Sequence, residues 1–132
     1  MSSTFKMQII TPEKTAFDGD IQSITVQTGE GYIELMARHE SILLKTLPTI
    51  AKVILGDGTK AEYFISGGIA KFEGNELKLC VGALETKEDI DLGRAKEAKD
   101  RAEKRLKESN WNEKRAQAAL QRSILRIRLK EQ

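Results

Sequence analysis

Ala51-Lys52-Val53-Ile54-Leu55-Gly56-Asp57-Gly58-Thr59-Lys60-Ala61-Glu62-Tyr63-Phe64-Ile65 sets two apolar, β-branched runs on either side of a glycine-rich turn. Glycine reaches the positive φ that tight turns require, so the two runs predict an antiparallel hairpin. Ile69-Ala70-Lys71-Phe72-Glu73 and Glu76-Leu77-Lys78-Leu79-Cys80-Val81 flank Gly74-Asn75 and predict a second one. Cys80 reads there as a half-buried core thiol. Between the hairpins, Ser66-Gly67-Gly68 reads as a strand kink or bulge rather than a phosphate cradle. Upstream, Phe5-Lys6-Met7-Gln8-Ile9-Ile10 stops at Thr11-Pro12, where proline imposes extended or turn geometry. A further β-branched run, from Asp20 to Thr28, ends at Gly29-Glu30-Gly31. Short strands at roughly ten-residue spacing, without a long helix among them, predict an antiparallel sandwich or barrel over residues 1–85.

The composition changes near Leu84-Glu85-Thr86. Residues 1–84 carry eight Lys and Arg against ten Asp and Glu, whereas residues 85–132 carry fourteen against ten. Nine of the ten glycines and both prolines precede residue 85, leaving Gly93 alone beyond it. A second module over 86–132 follows, and its Ala, Lys, Arg, Glu and Leu content predicts helices over about 89–108 and 113–130. Ala95, Ala98, Ala102 and Leu106 form a narrow stripe on the first helix. Alanine allows close helix contact but buries little area, so the hairpin is expected to dock conditionally. Ser109-Asn110-Trp111-Asn112 breaks the helical pattern, with Trp111 either exposed or an anchor of the hairpin.

Several classes of function are excluded. The 132 residues are 39% hydrophobic and 32% charged, which argues against disorder and collagen-like structure. No apolar run is long enough to span a membrane, and Met1-Ser2-Ser3-Thr4-Phe5-Lys6 lacks the apolar core of a secretion signal. One cysteine excludes an internal disulfide and a multi-cysteine metal site, and one histidine, His39, leaves little material for a zinc site or a Ser-His triad. The expectation is a soluble intracellular protein with no catalytic residues, no metal site and no required cofactor. A net charge of +2 with 5% aromatics also argues against nucleic acid as a partner.

The arginines carry the remaining chemistry. Arg115, Arg122 and Arg126 are spaced 7 and 4 apart, so they fall within about 40° on one helix face. Leu120, Ile124 and Ile127 lie about 120–180° from Arg115, on what reads as the apolar side. Arg94 and Arg101 share a face of the first helix, so an antiparallel hairpin makes two guanidinium rows converge. Guanidinium forks match phosphate and carboxylate oxygens, which points to an anionic ligand or an acidic partner surface. A solvated charged face is the other reading. Asp91 has two readings as well: a carboxylate in the first helical turn, or a ligand acceptor with Arg94 answering its charge.

Taken together, Lys6-Met7-Gln8-Ile9-Ile10-Thr11-Pro12, Phe64-Ile65-Ser66-Gly67-Gly68-Ile69 and Ile90-Asp91-Leu92-Gly93-Arg94-Ala95 resemble the epsilon-subunit family of bacterial F-type ATP synthases. The similarity covers nearly the whole chain. It implies an α+β fold: an N-terminal antiparallel β-sandwich of about ten strands, then a C-terminal two-helix hairpin. The last motif matches the family's Ile/Leu-Asp-x-x-Arg-Ala pattern, associated with ATP. The resemblance thus implies nucleotide contacts for Glu85, Ile90, Asp91, Arg94, Ala95, Arg101, Arg115, Arg122 and Arg126. It further implies partner contacts for Glu30, Gly31, Tyr32 and His39 in the loop region of the sandwich, and for Arg115, Arg122 and Arg126 on the last helix. Where the family shows Gly-Ile-Leu-Pro-x-His, this chain has Ile33-Glu34-Leu35-Met36-Ala37-Arg38-His39, implying altered loop geometry. The implied partners are the gamma subunit, the c-ring and, through the helices, the catalytic beta and alpha subunits. The implied role is non-catalytic: coupling ion flow to ATP synthesis and restraining ATP hydrolysis, with ATP as a regulatory ligand. The implied location is peripheral, on the cytoplasmic face of the bacterial plasma membrane, which the chain meets only through the complex. Two rivals stand beside it: a coupling subunit whose helices brace the stalk without binding nucleotide, and a stand-alone ligand-binding sandwich with a helical tail.

Overall fold

A computed structural model of the chain describes residues 3–108 and 112–132, so the reading of Ser109, Asn110 and Trp111 lies outside the described residues. Nine strands precede two helices: β1 (Phe5–Ile10), β2 (Thr15–Thr28), β3 (Gly31–Met36), β4 (Ile42–Thr46), β5 (Thr49–Leu55), β6 (Lys60–Ile65), β7 (Gly68–Glu73), β8 (Glu76–Val81), β9 (Leu84–Glu85), α1 (Leu92–Leu106) and α2 (Glu113–Glu131). Hydrogen bonding runs in the order β4-β7-β8-β1-β2-β5-β6-β9, with β3 also on β2.

The sandwich forms because β2 serves both layers. Its first half pairs with β1, from Ile10↔Thr15 to Phe5↔Ile21, and its second half pairs with β3 and β5. The register shifts between Ile21 and Ser23, where an irregularity lets a strand bend from one layer into the other. One long strand thus does the work of two, and the described residues hold nine strands where about ten were expected.

Alternation fills the space between the layers. Met7, Ile9, Ile21, Ile24, Val26, Leu35, Val53, Ile65, Phe72 and Leu79 are buried, and the Phe5 and Phe72 rings meet edge to face at 5.2 Å. Both predicted hairpins are present, as β5–β6 and β7–β8. Gly74 and Asn75 both have φ of 59°, the mirror-image turn that matches strand twist.

Three local expectations need correction. β1 pairs with β8 in parallel, not antiparallel, because no tight turn joins these strands and so none dictates their direction. Cys80 is exposed: Leu77, Leu79 and Val81 point inward, so the pleat sends Cys80 outward with Glu76 and Lys78. The third concerns α2. Its buried residues are Ala116, Ser123, Leu125 and Leu129, while Ile124 is 37% exposed and Leu120 and Ile127 are only half-buried. The helix meets α1 on one flank and the sandwich on the other, and small residues give the closer approach to α1. Ser123 is tolerated there because its hydroxyl donates to the Ala119 carbonyl at 3.0 Å. On a helical wheel the arginine row lies between these two flanks. The face richest in branched apolar residues therefore turns away from the docking surface.

Candidate functional site

Chain direction brings the pieces of the site together. After β9 the backbone turns through Thr86–Asp89, where the Asp89 carboxylate accepts from the Thr86 N–H at 3.0 Å. That bond, followed by one from the Thr86 hydroxyl, holds the Asp89 carboxyl below the usual carboxylate range. Two residues later Asp91 caps α1, its Oδ1 accepting from the Arg94 N–H at 3.1 Å. Asn112 caps α2 in the same way, accepting from the Arg115 N–H at 3.2 Å. Ala95 and Ala102 are buried between the helices.

The hairpin is fastened to the sandwich by a small apolar cluster of Phe64, Ile90, Leu125 and Leu129, with Ile50 packed against it. Polar contacts ring the cluster. Arg126 Nε donates to Glu85 Oε1 at 2.5 Å, and its guanidinium carbon lies 4.5 Å from the centre of the Phe64 ring. Both charged side chains are about three-quarters buried, at 28% and 27% exposure, so screening by water is reduced. At the end of α2, Lys130 Nζ donates to the Lys87 carbonyl at 3.0 Å and Lys87 Nζ donates to the Gln132 carbonyl.

Glu85, Ile90, Asp91, Arg94, Ala95, Arg101 and Arg126 line one cleft of about 290 Å³, together with Asp89 and Ala98. Its three arginines are matched by three carboxylates. Such a lining offers both donors and acceptors, which suits a ligand with both polar edges and negative charge. Arg115 and Arg122 are elsewhere: they line a second cleft of about 430 Å³ with Ala102, Arg105, Asn112, Ala116 and Ala119. Among the described residues no group of three or more His, Cys, Asp or Glu side chains is placed to hold a metal ion. No helix among them is long and apolar enough to cross a membrane.

The expected partner-contact residues of the sandwich are divided as well. Glu30 sits in the turn before β3, Gly31 opens that strand with φ of 123°, and Tyr32 is 70% exposed. His39 lies beyond the strand's other end, about 17 Å of strand away. Its ring packs on Phe72 at 5.7 Å and its Nδ1 contacts the Glu40 carbonyl at 2.7 Å. In the preceding loop, Arg38 has φ of 65° and is held by a bond from its N–H to Asn75 Oδ1 at 2.8 Å.

Sequence reasoning missed Phe64, Ile50 and Asp89 as parts of this region. The i, i+4 pair Leu125 and Leu129 was a legible signal for the docked flank of α2, outweighed by the bulkier row opposite.

Comparison with known proteins places this arrangement. Residues 4–87 match the family model "ATP synthase, Delta/Epsilon chain, beta-sandwich domain", and residues 88–131 match "ATP synthase, Delta/Epsilon chain, long alpha-helix domain". The chain is 42% identical over 130 residues to the ATP synthase epsilon chain of Clostridium novyi (strain NT), covering 98% of this chain and 99% of that one. It is 41% identical over 132 residues to the epsilon chain of Clostridium botulinum (strain Eklund 17B / Type B), covering 99% and 98%. Among solved structures, a chain of the Euglena gracilis mitochondrial ATP synthase (OSCP/F1/c-ring) superposes with a TM-score of 0.73 at 20% identity, over 97% of this chain and 78% of that one. A chain of the Tetrahymena thermophila mitochondrial ATP synthase central stalk and c-ring gives 0.59 at 16% identity, over 98% and 96%. These two likenesses speak for the fold, while the family models and the clostridial relatives together span the chain end to end: it belongs to the delta/epsilon chain family of ATP synthase.

Proposed function

We propose that this chain is a non-catalytic central-stalk subunit of a rotary ATP synthase whose helical hairpin is a regulatory switch set by ATP. The carrying observation is the orientation of α2, which turns Arg126 onto the docking surface against Glu85 and Phe64 and leaves Ile124 exposed. Docking therefore rests on a small apolar cluster and a few polar contacts, a combination that leaves two arrangements close in free energy. ATP bound in the cleft of Asp91, Arg94, Arg101 and Arg126 favours the docked form by linkage, in proportion to its concentration over its dissociation constant. Released from the sandwich, α2 offers Arg115, Arg122 and Arg126 to carboxylates of the catalytic beta and alpha subunits, and its apolar row to the gamma subunit. That extended form restrains ATP hydrolysis. The sandwich meets the gamma subunit and the c-ring through the loop of Glu30, Gly31 and Tyr32 and the region of His39. In this reading the chain is peripheral, on the cytoplasmic face of a bacterial plasma membrane, and needs no cofactor.

The test is an ATP titration of the full chain by calorimetry, with Arg94→Ala and Arg126→Ala as variants. Saturable binding, weakened at least about tenfold by each substitution, is expected, since a charge-assisted contact contributes about 1.5–3 kcal/mol. A folded protein that gives no saturable heat up to about 10 mM ATP overturns the sensor and leaves a stalk subunit whose helices brace rather than sense.

A further inference from the structure

Asn75 does more than the β7–β8 turn requires. The turn needs a positive φ, which Asn75 meets at 59° and glycine would meet as well. The side-chain amide is therefore surplus to the turn, and it reaches two other segments. Its Oδ1 accepts from the Arg38 N–H at 2.8 Å, 37 residues away, and its Nδ2 donates to the Thr4 carbonyl at 3.2 Å, 71 residues away. The Asn75 carbonyl also accepts from the Lys6 N–H at 3.4 Å. One exposed residue thus ties both the start of β1 and the loop between β3 and β4 to this turn.

The loop it reaches is one that needs holding. Among the described residues, Arg38 and Asn75 are the two non-glycine positions with positive φ. Asparagine tolerates that backbone, whereas for arginine it is disfavoured on the order of tenfold. Two contacts from the β7–β8 hairpin oppose the strain: the Asn75 amide on the Arg38 N–H, and the Phe72 ring under the His39 ring at 5.7 Å. Phe72 is buried and set against Phe5, so the ring contact is an extension of the core. The loop also separates two apolar side chains that the chain leaves uncovered, Met36 at 53% exposure and Leu43 at 70%. We infer that Asn75 is a positioning residue: it holds the Arg38-His39 loop in the conformation that meets the rotor, so that docking needs no prior reordering. The inference rests on the reading that the His39 region meets the gamma subunit and the c-ring. A loop that is competent for only a fraction of the time weakens binding by that fraction.

The test follows amide exchange in the full chain by NMR, then rebinding to ATP synthase of the same source stripped of this chain. Asn75→Gly keeps the turn geometry and deletes the amide. Exchange is read at His39, whose own bond to the Met36 carbonyl the substitution leaves untouched. It should quicken about fivefold, the weight of one neutral hydrogen bond, while β2 and β5 keep the parent's protection. Asn75→Asp keeps an acceptor for the Arg38 N–H and loses only the donor to Thr4, so His39 exchange should return to within about twofold of the parent. Half-saturation of the stripped enzyme should need about twofold to fivefold more Asn75→Gly than parent. Unchanged His39 exchange in Asn75→Gly overturns the inference, as does an acceleration that Asn75→Asp fails to reverse. Faster exchange with rebinding equal to the parent's overturns it too, because the amide then serves stability alone. If the parent itself fails to rebind, the stalk reading falls and this inference falls with it.

Discussion

At Gly68, one missing methyl group decides how the two layers join. A Cβ built there falls 1.8 Å from the Cys80 carbonyl oxygen, a backbone atom with nowhere to go. Its neighbour Gly67 has φ of 98°, so the pair supplies both the kink and the close approach that connect β6 to β7. Gly68→Ala is expected to cost about 3 kcal/mol, the upper range of overpacking, and to lower the thermal midpoint by roughly 10 °C. Gly29→Ala is the internal control, because nothing lies within 4 Å of the added carbon. Equal midpoints for the two variants in a thermal melt would contradict the clash. The kink itself was legible in Ser66-Gly67-Gly68, since adjacent glycines in a β pattern announce unusual backbone. The atom that forbids a side chain was not, because Cys80 is brought there by strand pairing.

For a helix, the question is whether Asp91 serves the element or a ligand. Its Oδ1 already accepts from the Arg94 N–H, which makes it a cap irrespective of any nucleotide. Asp91→Ala should destabilise the first turn of α1 by about 1 kcal/mol, seen as faster amide exchange at Arg94 and Ala95. Asp91→Asn should preserve the cap to within a few tenths of a kcal/mol. If Asp91→Asn binds ATP like the parent, the residue acts through the helix; if it binds as weakly as Asp91→Ala, the carboxylate charge meets the ligand. The helices were readable, and Asn112 belonged to the stretch read as helix-starting. Asp91, expected in the first turn of a helix from about 89, is instead the cap of a helix that begins at Leu92. The inward face of α2 was not readable. Leu120, Ile124 and Ile127 make the larger apolar row, yet Leu125 and Leu129 are the ones covered, by Phe64 and Ile90.

Over the whole molecule, two cores of unequal size share one chain. The sandwich core is closed between its layers, whereas the hairpin rests on Phe64, Ile90, Leu125 and Leu129. Leu129→Ala removes one of the few docking side chains and should cost about 2 kcal/mol or more of the docking free energy. Amide exchange in α2 should then accelerate throughout, while β1, β2 and β8 keep the parent's protection. Equal acceleration in the sandwich strands would show a single cooperative unit and remove the physical basis for a switch.

What the chain determines locally is extensive: the hairpin turns at Gly56–Thr59 and Gly74-Asn75, the alternating strands, the caps at Asp91 and Asn112, and the join near Glu85. Each depends on residues within a few positions of one another, where steric and hydrogen-bonding preferences act without the rest of the fold. Tertiary structure alone decided that β2 serves two layers, that Arg126 lies over Phe64 against Glu85, and that Arg115 and Arg122 form a cleft apart from Asp91. Glu85 and Arg126 are 41 residues apart, and their meeting follows from which flank of α2 the sandwich covers. A helical wheel ranks the faces of an isolated helix by apolar content. Docking ranks them by fit to the surfaces on offer, and here shallow alanine contacts with α1 and a two-leucine anchor on Phe64 prevail over a bulkier row.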